Sequence, residues 1–220
     1  LDEFRKIAKS KAIEKLYHEG DLAIEDLILS WDNYTYFNCI NAEHLIAKDL
    51  FYSLEAKLNN YKCFDLDKKT KEGILIGTIQ EFERCTGQKR KGRTGDDLED
   101  AVSVILTYLN IDHEDKPQQI SGTIEADKTI WDNTNESRCI VSCKTKGRER
   151  VKQLAESEET LETLKIRKII WFFIHFDQSA KRVIDLGSLR SVFFLPSKSL
   201  KYKELIEHKE ASKYIFPISS

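Results

Sequence analysis

A lysine at the end of an apolar strand is the side chain in this sequence that is best suited to chemistry. The run Arg138–Cys143 predicts a buried strand, and the chain turns cationic directly after it, at Lys144. A lysine ammonium is a compact and mobile point charge, which suits a phosphate that reacts rather than one that is merely held. Asp127 lies upstream, and a cluster of turn-forming residues at 132–135 separates it from the strand. An antiparallel pair that folds at this turn would place Asp127 opposite the end of the return strand.

Side-chain alternation along the return strand decides which residues can meet Asp127. Ser142 and Lys144 share one face of the strand, whereas Cys143 points to the other face. We therefore expect Asp127, Ser142 and Lys144 to converge. An alternative interpretation of the same spacing is a surface salt bridge that only closes the hairpin.

The chain order of Glu99, Asp127 and then Lys144 at a strand end resembles the PD-(D/E)xK nuclease core, and specifically that of type II restriction endonucleases. The resemblance covers roughly residues 88–200. It implies a catalytic site of Lys144, Asp127 and Glu99, in which carboxylates bind Mg²⁺ and the lysine lies near the attacking water. It also implies sequence-specific cleavage of double-stranded DNA, a homodimer whose two-fold symmetry matches a palindromic site, and a cognate methyltransferase.

Ser142 departs from the usual pattern of this family, which carries Asp or Glu two residues before the lysine. A hydroxyl is a poor magnesium ligand compared with a carboxylate, so a replacement is required. A subset of restriction endonucleases has a similar S-x-K arrangement, in which a glutamate from the following helix moves into the vacant place. The segment from about Gly147 to Thr163 predicts this helix, and it offers three glutamates: Glu156, Glu158 and Glu159.

Glu158 lies on the apolar stripe of the predicted helix, whereas Glu159 is turned away from that stripe. A carboxylate on a core-facing stripe is unfavourable unless it is paired or bound to a metal. We therefore expect Glu158 to be the substitute catalytic and metal-binding carboxylate, beside Asp127 and Glu99. The alternative is an edge position from which Glu158 reaches solvent.

Two basic segments predict contacts with DNA. In restriction endonucleases, basic residues often follow the catalytic lysine directly, and the run from Thr145 to Gln153 resembles that pattern. An arginine–acid–arginine cluster reads consecutive C·G pairs in some members, and residues 148–150 have this composition. The other segment, residues 88–95, predicts a glycine-containing loop that contacts phosphates or merely connects two helices. The residues expected to contact DNA are Lys146, Arg148, Glu149, Arg150, Arg90, Lys91 and Arg93.

Hydrophobic periodicity predicts a helical first part and an α/β second part. Residues 1–86 predict a helical lobe that mediates dimer contacts or embraces DNA, and residues 87–220 predict the PD-(D/E)xK-like catalytic core. The second part predicts an α/β fold with a restriction-endonuclease-like mixed β-sheet flanked by helices. The predicted helices are 4–18, 21–29, 41–58, 70–85, 96–109, 147–163 and one from 200, and the predicted strands are 120–124, 128–131, 138–143, 166–176 and 191–195.

The composition is that of an ordinary globular protein, with 33% charged and 40% hydrophobic residues. The formal net charge of −2 argues against a protein that coats nucleic acid without specificity, so any basic surface must be local. No apolar run reaches the roughly 18 residues of a membrane span, and we expect no membrane partner. Five cysteines without a CxxC pair indicate reduced thiols and a cytoplasmic protein.

Two other functions remain open for the same residues. One is a structure-specific or repair nuclease with the same core, and the other is a catalytically inactive DNA-binding module in which Ser142 marks a lost metal site. A serine hydrolase would need a GxSxG turn and an HNH nuclease would need clustered histidines, and the sequence has neither. The sequence therefore favours a nuclease that uses Mg²⁺ as its cofactor.

Overall fold

The computed structural model describes residues 2–60, 66–115, 118–120, 125–134, 136–146 and 157–219. Helices dominate the first half of the chain: α1 (Asp2–Glu19), a 3₁₀ helix (Gly20–Ala23), α2 (Ile24–Asn60) and α3 (Lys68–Tyr108). None of the described helices is long and apolar enough to cross a membrane.

Two long helices, α2 and α3, replace the four shorter ones predicted between residues 21 and 109. α2 continues unbroken past Trp31, and α3 runs through the basic segment at residues 88–95. The prediction of a loop over residues 88–95 is therefore wrong. No proline falls within either helix, and each glycine in a helix costs only about 1 kcal/mol relative to alanine. Tertiary packing of the two helices outweighs this cost.

The predicted boundary between residues 86 and 87 falls inside α3, which crosses it without a break. The carboxyl-terminal half of α3 packs on the sheet together with α1 and the start of α2. Leu16, Leu27, Val102 and Phe172 belong to this one hydrophobic core. Helical residues before the predicted boundary and strand residues after it thus share a core.

A five-stranded mixed sheet forms the centre of the second half of the chain. After a short antiparallel pair, β1 (Gln118–Gln119) and β2 (Glu125–Ala126), the strands of this sheet are β3 (Lys128–Trp131), β4 (Arg138–Lys146), β5 (Ile166–His175), β6 (Ser191–Leu195) and β7 (Ile215–Pro217). They lie in chain order, with β3 antiparallel to β4 and the other neighbours parallel. The connections between the parallel strands contain α4 (Glu158–Thr163), α5 (Ala180–Gly187), α6 (Leu200–Ile206) and a 3₁₀ helix (Ala211–Tyr214).

The sheet is covered on both faces. Val141 and Phe172 face the core shared with α2 and α3, whereas Ile140, Phe173 and Phe193 face a second core. The second core also takes buried residues from α4, α5 and α6. The predicted α/β fold, a mixed β-sheet flanked by helices, is confirmed.

A polar turn joins β3 to β4 and helps to set the register that brings Asp127 to the end of β4. The Asp132 carboxylate accepts the N–H groups of Thr134, Glu136 and Ser137 at 3.2, 2.9 and 3.1 Å. It also accepts the hydroxyl groups of Thr134 at 3.0 Å and Ser137 at 2.6 Å. The hydrogen bond from the Ser137 hydroxyl is the largest cause of a low pKa for Asp132, which falls to about 2.

Replacing Asp132 with alanine should lower the melting temperature at pH 7, because its carboxylate closes this turn. The folded-state pKa lies below the usual value of about 3.9, so the carboxylate stabilises the fold fully above that value and progressively less as the pH falls towards about 2. The gap between the wild type and Asp132→Ala should therefore be largest near neutral pH and narrow below about pH 4. Asp112→Ala, at an exposed carboxylate outside the turn, is the control. A gap that stays constant with pH would contradict this role of Asp132.

Candidate active site

Asp127 is the centre of a hydrogen-bonded cluster at the carboxyl end of β4. The Lys144 ammonium donates to both of its carboxylate oxygens, at 2.9 Å to Oδ2 and 3.3 Å to Oδ1. Ser142 Oγ donates to Oδ2 at 3.2 Å, and the backbone N–H of Cys143 donates to the same oxygen at 2.6 Å. The side chains of Asp127 and Lys144 are only 5% and 13% exposed. The structure thus brings Asp127, Ser142 and Lys144 together, and the pair is largely buried rather than a surface salt bridge.

The strand register explains why these side chains meet. The backbone N–H of Asp127 donates to the carbonyl of Val141 at 2.9 Å, and the ladder continues from Lys128, which pairs with Val141. Asp127 therefore lies opposite Ser142, on the face of the sheet that also carries Lys144. Three donors meet at Oδ2 of Asp127, whereas Oδ1 receives only the longer contact from Lys144 among the described residues. Oδ1 is thus the oxygen that is more open to a cation.

Glu99 approaches this cluster from α3. Burial raises the pKa of its half-buried carboxyl group, and the negative charge of Asp127 raises that pKa further. The positive charges of Lys144 and Lys128 partly oppose the rise. Such interactions are strong only between charges that lie close together in a partly buried setting. Two carboxylates that repel each other therefore share one region with Lys144.

An ion pair between a buried lysine and an exposed carboxylate links the end of α3 to the edge of the sheet next to this cluster. The side chain of Lys128 is 4% exposed, and its ammonium bonds Asp115 Oδ1 at 2.8 Å. The same oxygen accepts the hydroxyl of Ser103 at 2.7 Å, and Ser103 Oγ lies 3.2 Å from the carbonyl oxygen of Glu99. Lys128 was not among the predicted site residues. The sequence feature that could have identified Lys128 is its charge at the start of a predicted strand that is otherwise uncharged.

The donor atoms of the cluster fit Mg²⁺. This ion takes hard oxygen ligands, and it usually combines one or two carboxylates with several waters. Asp127 and Glu99 supply two carboxylates, and a divalent cation would relieve their mutual repulsion. Within the described part of the chain, no three His, Cys, Asp or Glu side chains already form a metal-binding group. Two carboxylates meet the requirement of an ion that retains its waters.

The structure places Glu158 at the other end of the sheet, which corrects the prediction that it replaces the missing carboxylate. Its Oε1 accepts a hydrogen bond from Arg190 Nε at 2.6 Å, and Arg190 also donates to the carbonyl of Ile166 at 2.7 Å. Ile166 begins β5 and pairs with Arg138 at the start of β4. The length of β4 from there to Lys144 is about 20 Å. Glu158 therefore does not lie beside the cluster.

The prediction for Glu158 is wrong because it assumed a single continuous helix over residues 147–163. The backbone at Ser157 is extended, with φ −69° and ψ 153°, and its hydroxyl accepts the N–H of Thr160 as a helix N-cap. A new helix, α4, begins at Glu158, so one continuous helix from Gly147 to Thr163 does not form. Glu158 lies in the first turn of α4 and is exposed.

Arg90 is also placed differently from its prediction as a DNA contact. Its guanidinium lies 3.1 Å from Glu43 Oε2 on α2 and 3.2 Å from Glu83 Oε2 on α3. The Glu43 side chain is only 4% exposed. Arg90 therefore joins the two long helices and does not project from a loop.

The other predicted DNA contacts lie outside the part of the chain that the structure describes. The segment 147–156, which contains Arg148, Glu149, Arg150 and also Glu156, is not among the described residues. Lys146 ends β4, but its side chain is outside the described set, as are the side chains of Lys91 and Arg93. The contact of these residues with DNA therefore stays a prediction.

Comparison with known proteins identifies the fold. No protein-family model and no curated protein matches the chain. The restriction endonuclease PspGI, solved in complex with substrate DNA, superposes with a TM-score of 0.66 at 15% identity, covering 98% of this chain and 88% of that chain. Metal-depleted Ecl18kI, in complex with uncleaved DNA, gives a TM-score of 0.66 at 13% identity and covers 99% of this chain and 81% of that chain. Its complex with uncleaved, modified DNA gives 0.60 at 14% identity, with 99% and 80% covered. The chain therefore has the fold of type II restriction endonucleases.

Proposed function

We propose that the chain is an endonuclease that cleaves double-stranded DNA at a specific sequence by magnesium-dependent phosphodiester hydrolysis. The observation that supports this most is the buried Asp127–Lys144 pair, coupled to Glu99, in a fold shared with restriction endonucleases solved on DNA. A buried ion pair with a second carboxylate nearby contributes little to folding. Clusters of this kind are typical of functional sites.

Each residue of the cluster has a role in the proposed reaction. Asp127, which directly precedes β3, and Glu99 on α3 would hold Mg²⁺, because their negative charges already act on each other. Bound Mg²⁺ supplies a Lewis acid that polarises the phosphoryl group and lowers the pKa of a bound water. The Lys144 ammonium stabilises charge on the non-bridging oxygens and orients the attacking water. Ser142 and the N–H of Cys143 hold the Asp127 carboxylate in place through their hydrogen bonds.

The segment that follows Lys144 binds DNA in this proposal. Lys146 and the cluster Arg148–Glu149–Arg150 come directly after the site in the chain, so DNA that they hold lies next to it. Arginine bonds the O6 and N7 atoms of guanine and glutamate accepts from N4 of cytosine, so the cluster would read C·G pairs. Such an enzyme must spare the DNA of its own cell. A cognate methyltransferase in the same cytoplasm would do so by modifying the target bases.

A cleavage assay on a long duplex of mixed sequence tests the proposal. The wild type should give discrete fragments with Mg²⁺ and no cleavage with EDTA. Cleavage of branched DNA alone would instead identify a structure-specific or repair nuclease. Binding without cleavage would identify an inactive DNA-binding module, and the absence of both binding and cleavage would refute the proposal.

Exposed apolar side chains on the long helices support a homodimer. On α2, Leu45 is 64% exposed, Ile46 51% and Tyr52 57%, and on α3 Ile76 is 58% exposed. Leu45 and Tyr52 are two helical turns apart and lie on one face of α2. Exposed apolar patches often mark contacts between proteins. Because one active site cuts one strand, two copies related by a two-fold axis would cut both strands of a palindromic site.

A charge placed in this apolar face should convert the dimer to a monomer. We expect the wild type to sediment as a dimer at micromolar concentration and Leu45→Glu to sediment as a monomer. The control variant Gln88→Glu adds the same charge at an exposed polar position on α3, and it should remain dimeric. A wild type that sediments as a monomer with and without its DNA would contradict the homodimer.

A further inference from the structure

We propose that His175 binds the DNA backbone beside the reactive phosphate. This inference rests on the endonuclease function proposed above, and it adds a substrate-binding residue to that site. His175 ends β5, the strand next to the one that carries Lys144.

The ends of β4 and β5 extend past the neighbouring strands as a two-stranded ribbon. β3 pairs with β4 as far as Val141, and β6 pairs with β5 as far as Phe172. β4 and β5 stay paired with each other beyond these points, as far as Lys146 and His175. In the described part of the chain, the end of the ribbon has no further paired strand on either side. It also leads directly into the basic segment 147–150.

His175 shares a face of the sheet with the candidate active site. Phe173 is paired with Lys144, and paired residues on neighbouring strands point to the same face. His175 comes two residues after Phe173, so its side chain points to that face as well. One strand spacing and two residues separate the Cα atoms of His175 and Lys144, which corresponds to about 8 Å.

The surroundings of His175 leave its imidazole available to a ligand. Its neighbours Ile174 and Phe176 are buried, whereas His175 itself is exposed. The imidazole has no hydrogen-bond or ion-pair partner among the described residues. A side chain that is exposed and unbonded contributes little to stability, so His175 can be replaced without disturbing the fold.

Phosphate oxygen is the ligand that this position suits. An imidazole carries an N–H donor in each of its tautomers, and phosphodiester oxygens accept hydrogen bonds from side-chain donors along a duplex. DNA with one phosphate at Lys144 would carry its flanking nucleotides past the end of β5. A contact of this kind positions the duplex and does not read its sequence.

Equilibrium binding without divalent metal tests the contact, with fluorescence anisotropy as the readout and a duplex that the wild type cleaves as the probe. His175→Ala should bind about tenfold more weakly than the wild type, which is the loss of one hydrogen bond to a charged group. His175→Lys should restore binding, because an ammonium also donates to phosphate. Arg167→Ala removes an exposed cation at the opposite end of β5, and it should bind like the wild type.

The cleavage rate at saturating DNA should change by less than about twofold in His175→Ala, because the contact serves binding rather than the chemical step. Unchanged affinity of His175→Ala, or equal losses in His175→Ala and Arg167→Ala, would overturn the inference and leave the endonuclease proposal intact. A lower melting temperature without rescue by His175→Lys would assign a structural role and would also overturn it. A wild type that binds no DNA would defeat the proposed function and, with it, this contact.

Discussion

Replacing Lys144 with methionine should reduce Mg²⁺-dependent DNA cleavage by about a hundredfold to a thousandfold or more, while DNA binding persists. The ammonium lies 2.9 Å from Oδ2 and 3.3 Å from Oδ1 of Asp127, so its removal takes the positive charge from the place where the phosphoryl oxygens would gain charge. Methionine retains the apolar stem of the side chain without its charge. Asp127→Asn should have at least as large an effect, because it removes the negative charge of a proposed metal ligand.

The folding of these variants must be measured, because the pair is buried. Removing one partner of a fully buried pair costs about 3–5 kcal/mol, since the other charge is left unpaired. The Asp127 carboxylate would still accept two hydrogen bonds in Lys144→Met, from Ser142 Oγ and from the N–H of Cys143. The loss of stability in Lys144→Met should therefore be smaller than about 3–5 kcal/mol. Mg²⁺ should raise the melting temperature of Lys144→Met at least as much as that of the wild type, because no lysine then competes for Asp127.

Lys168→Met, at an exposed lysine on β5, is the matched control and should cleave normally. A folded Lys144→Met variant that cleaves at a near-normal rate would show that Lys144 is not catalytic. A variant that fails only because it unfolds would instead have a low melting temperature and would lose DNA binding as well.

The Asp127–Lys144 pair could be predicted from the sequence because its geometry is local and periodic. A hairpin needs one turn and the alternation of side chains. The turn is visible in residues 132–135, and the alternation is visible in the three residues that end with Lys144. No distant contact is needed to bring these side chains together.

The contacts of α3 could not be predicted in the same way, because they depend on tertiary packing. Glycine residues in the segment 88–95 favour a loop by local propensity, and packing against α2 keeps the segment helical. The ion pair of Arg90 with Glu43 joins residues on two different helices. Sequence spacing gives no signal for such a pair.

The start of α4 carried a local signal that conflicted with the hydrophobic pattern. Ser157 is followed by two glutamates in the first helical turn, and this is typical of a helix start, because a serine caps free N–H groups and carboxylates favour the positive end of the helix dipole. The prediction applied a single helical periodicity to residues 147–163 and so overlooked the start of a new helix at Glu158. The helical state of residues 158–163 was therefore predicted correctly, but the face that holds Glu158 was not.

The variants Glu99→Gln and Glu158→Gln should differ in the rate of DNA cleavage. Glu99→Gln should lower cleavage by about a hundredfold or more at limiting Mg²⁺, because it removes one of the two carboxylates that the structure places in this region. Glu158→Gln should cleave within about twofold of the wild type, because its carboxylate bonds Arg190 about 20 Å from Lys144. Single-turnover rates measured across a Mg²⁺ titration give both values.

Thermal stability should change in the opposite sense in these two variants. Glu99 has a raised pKa in the folded protein, so its ionised form destabilises the fold above that pKa and has no effect below the unfolded value of about 4.3. Glu99→Gln should therefore melt at a higher temperature than the wild type at pH 7 without Mg²⁺, and the gain should vanish near pH 4. Glu158→Gln should melt at a lower temperature, because Arg190 loses a charged partner.

Glu156→Gln is the third variant of this comparison. The family resemblance implies a carboxylate from the segment that follows Lys144, and Glu156 belongs to the part of that segment outside the described residues. If Glu156→Gln and Glu99→Gln both stop cleavage, both residues supply carboxylates beside Asp127, and together they account for a serine at position 142. If Glu156→Gln cleaves normally and Glu99→Gln does not, Glu99 is the second ligand of the metal. Normal cleavage by Glu99→Gln, with a loss in Glu158→Gln, would contradict this arrangement. Glu158 would then have to leave Arg190 and cross the length of β4 to reach the metal.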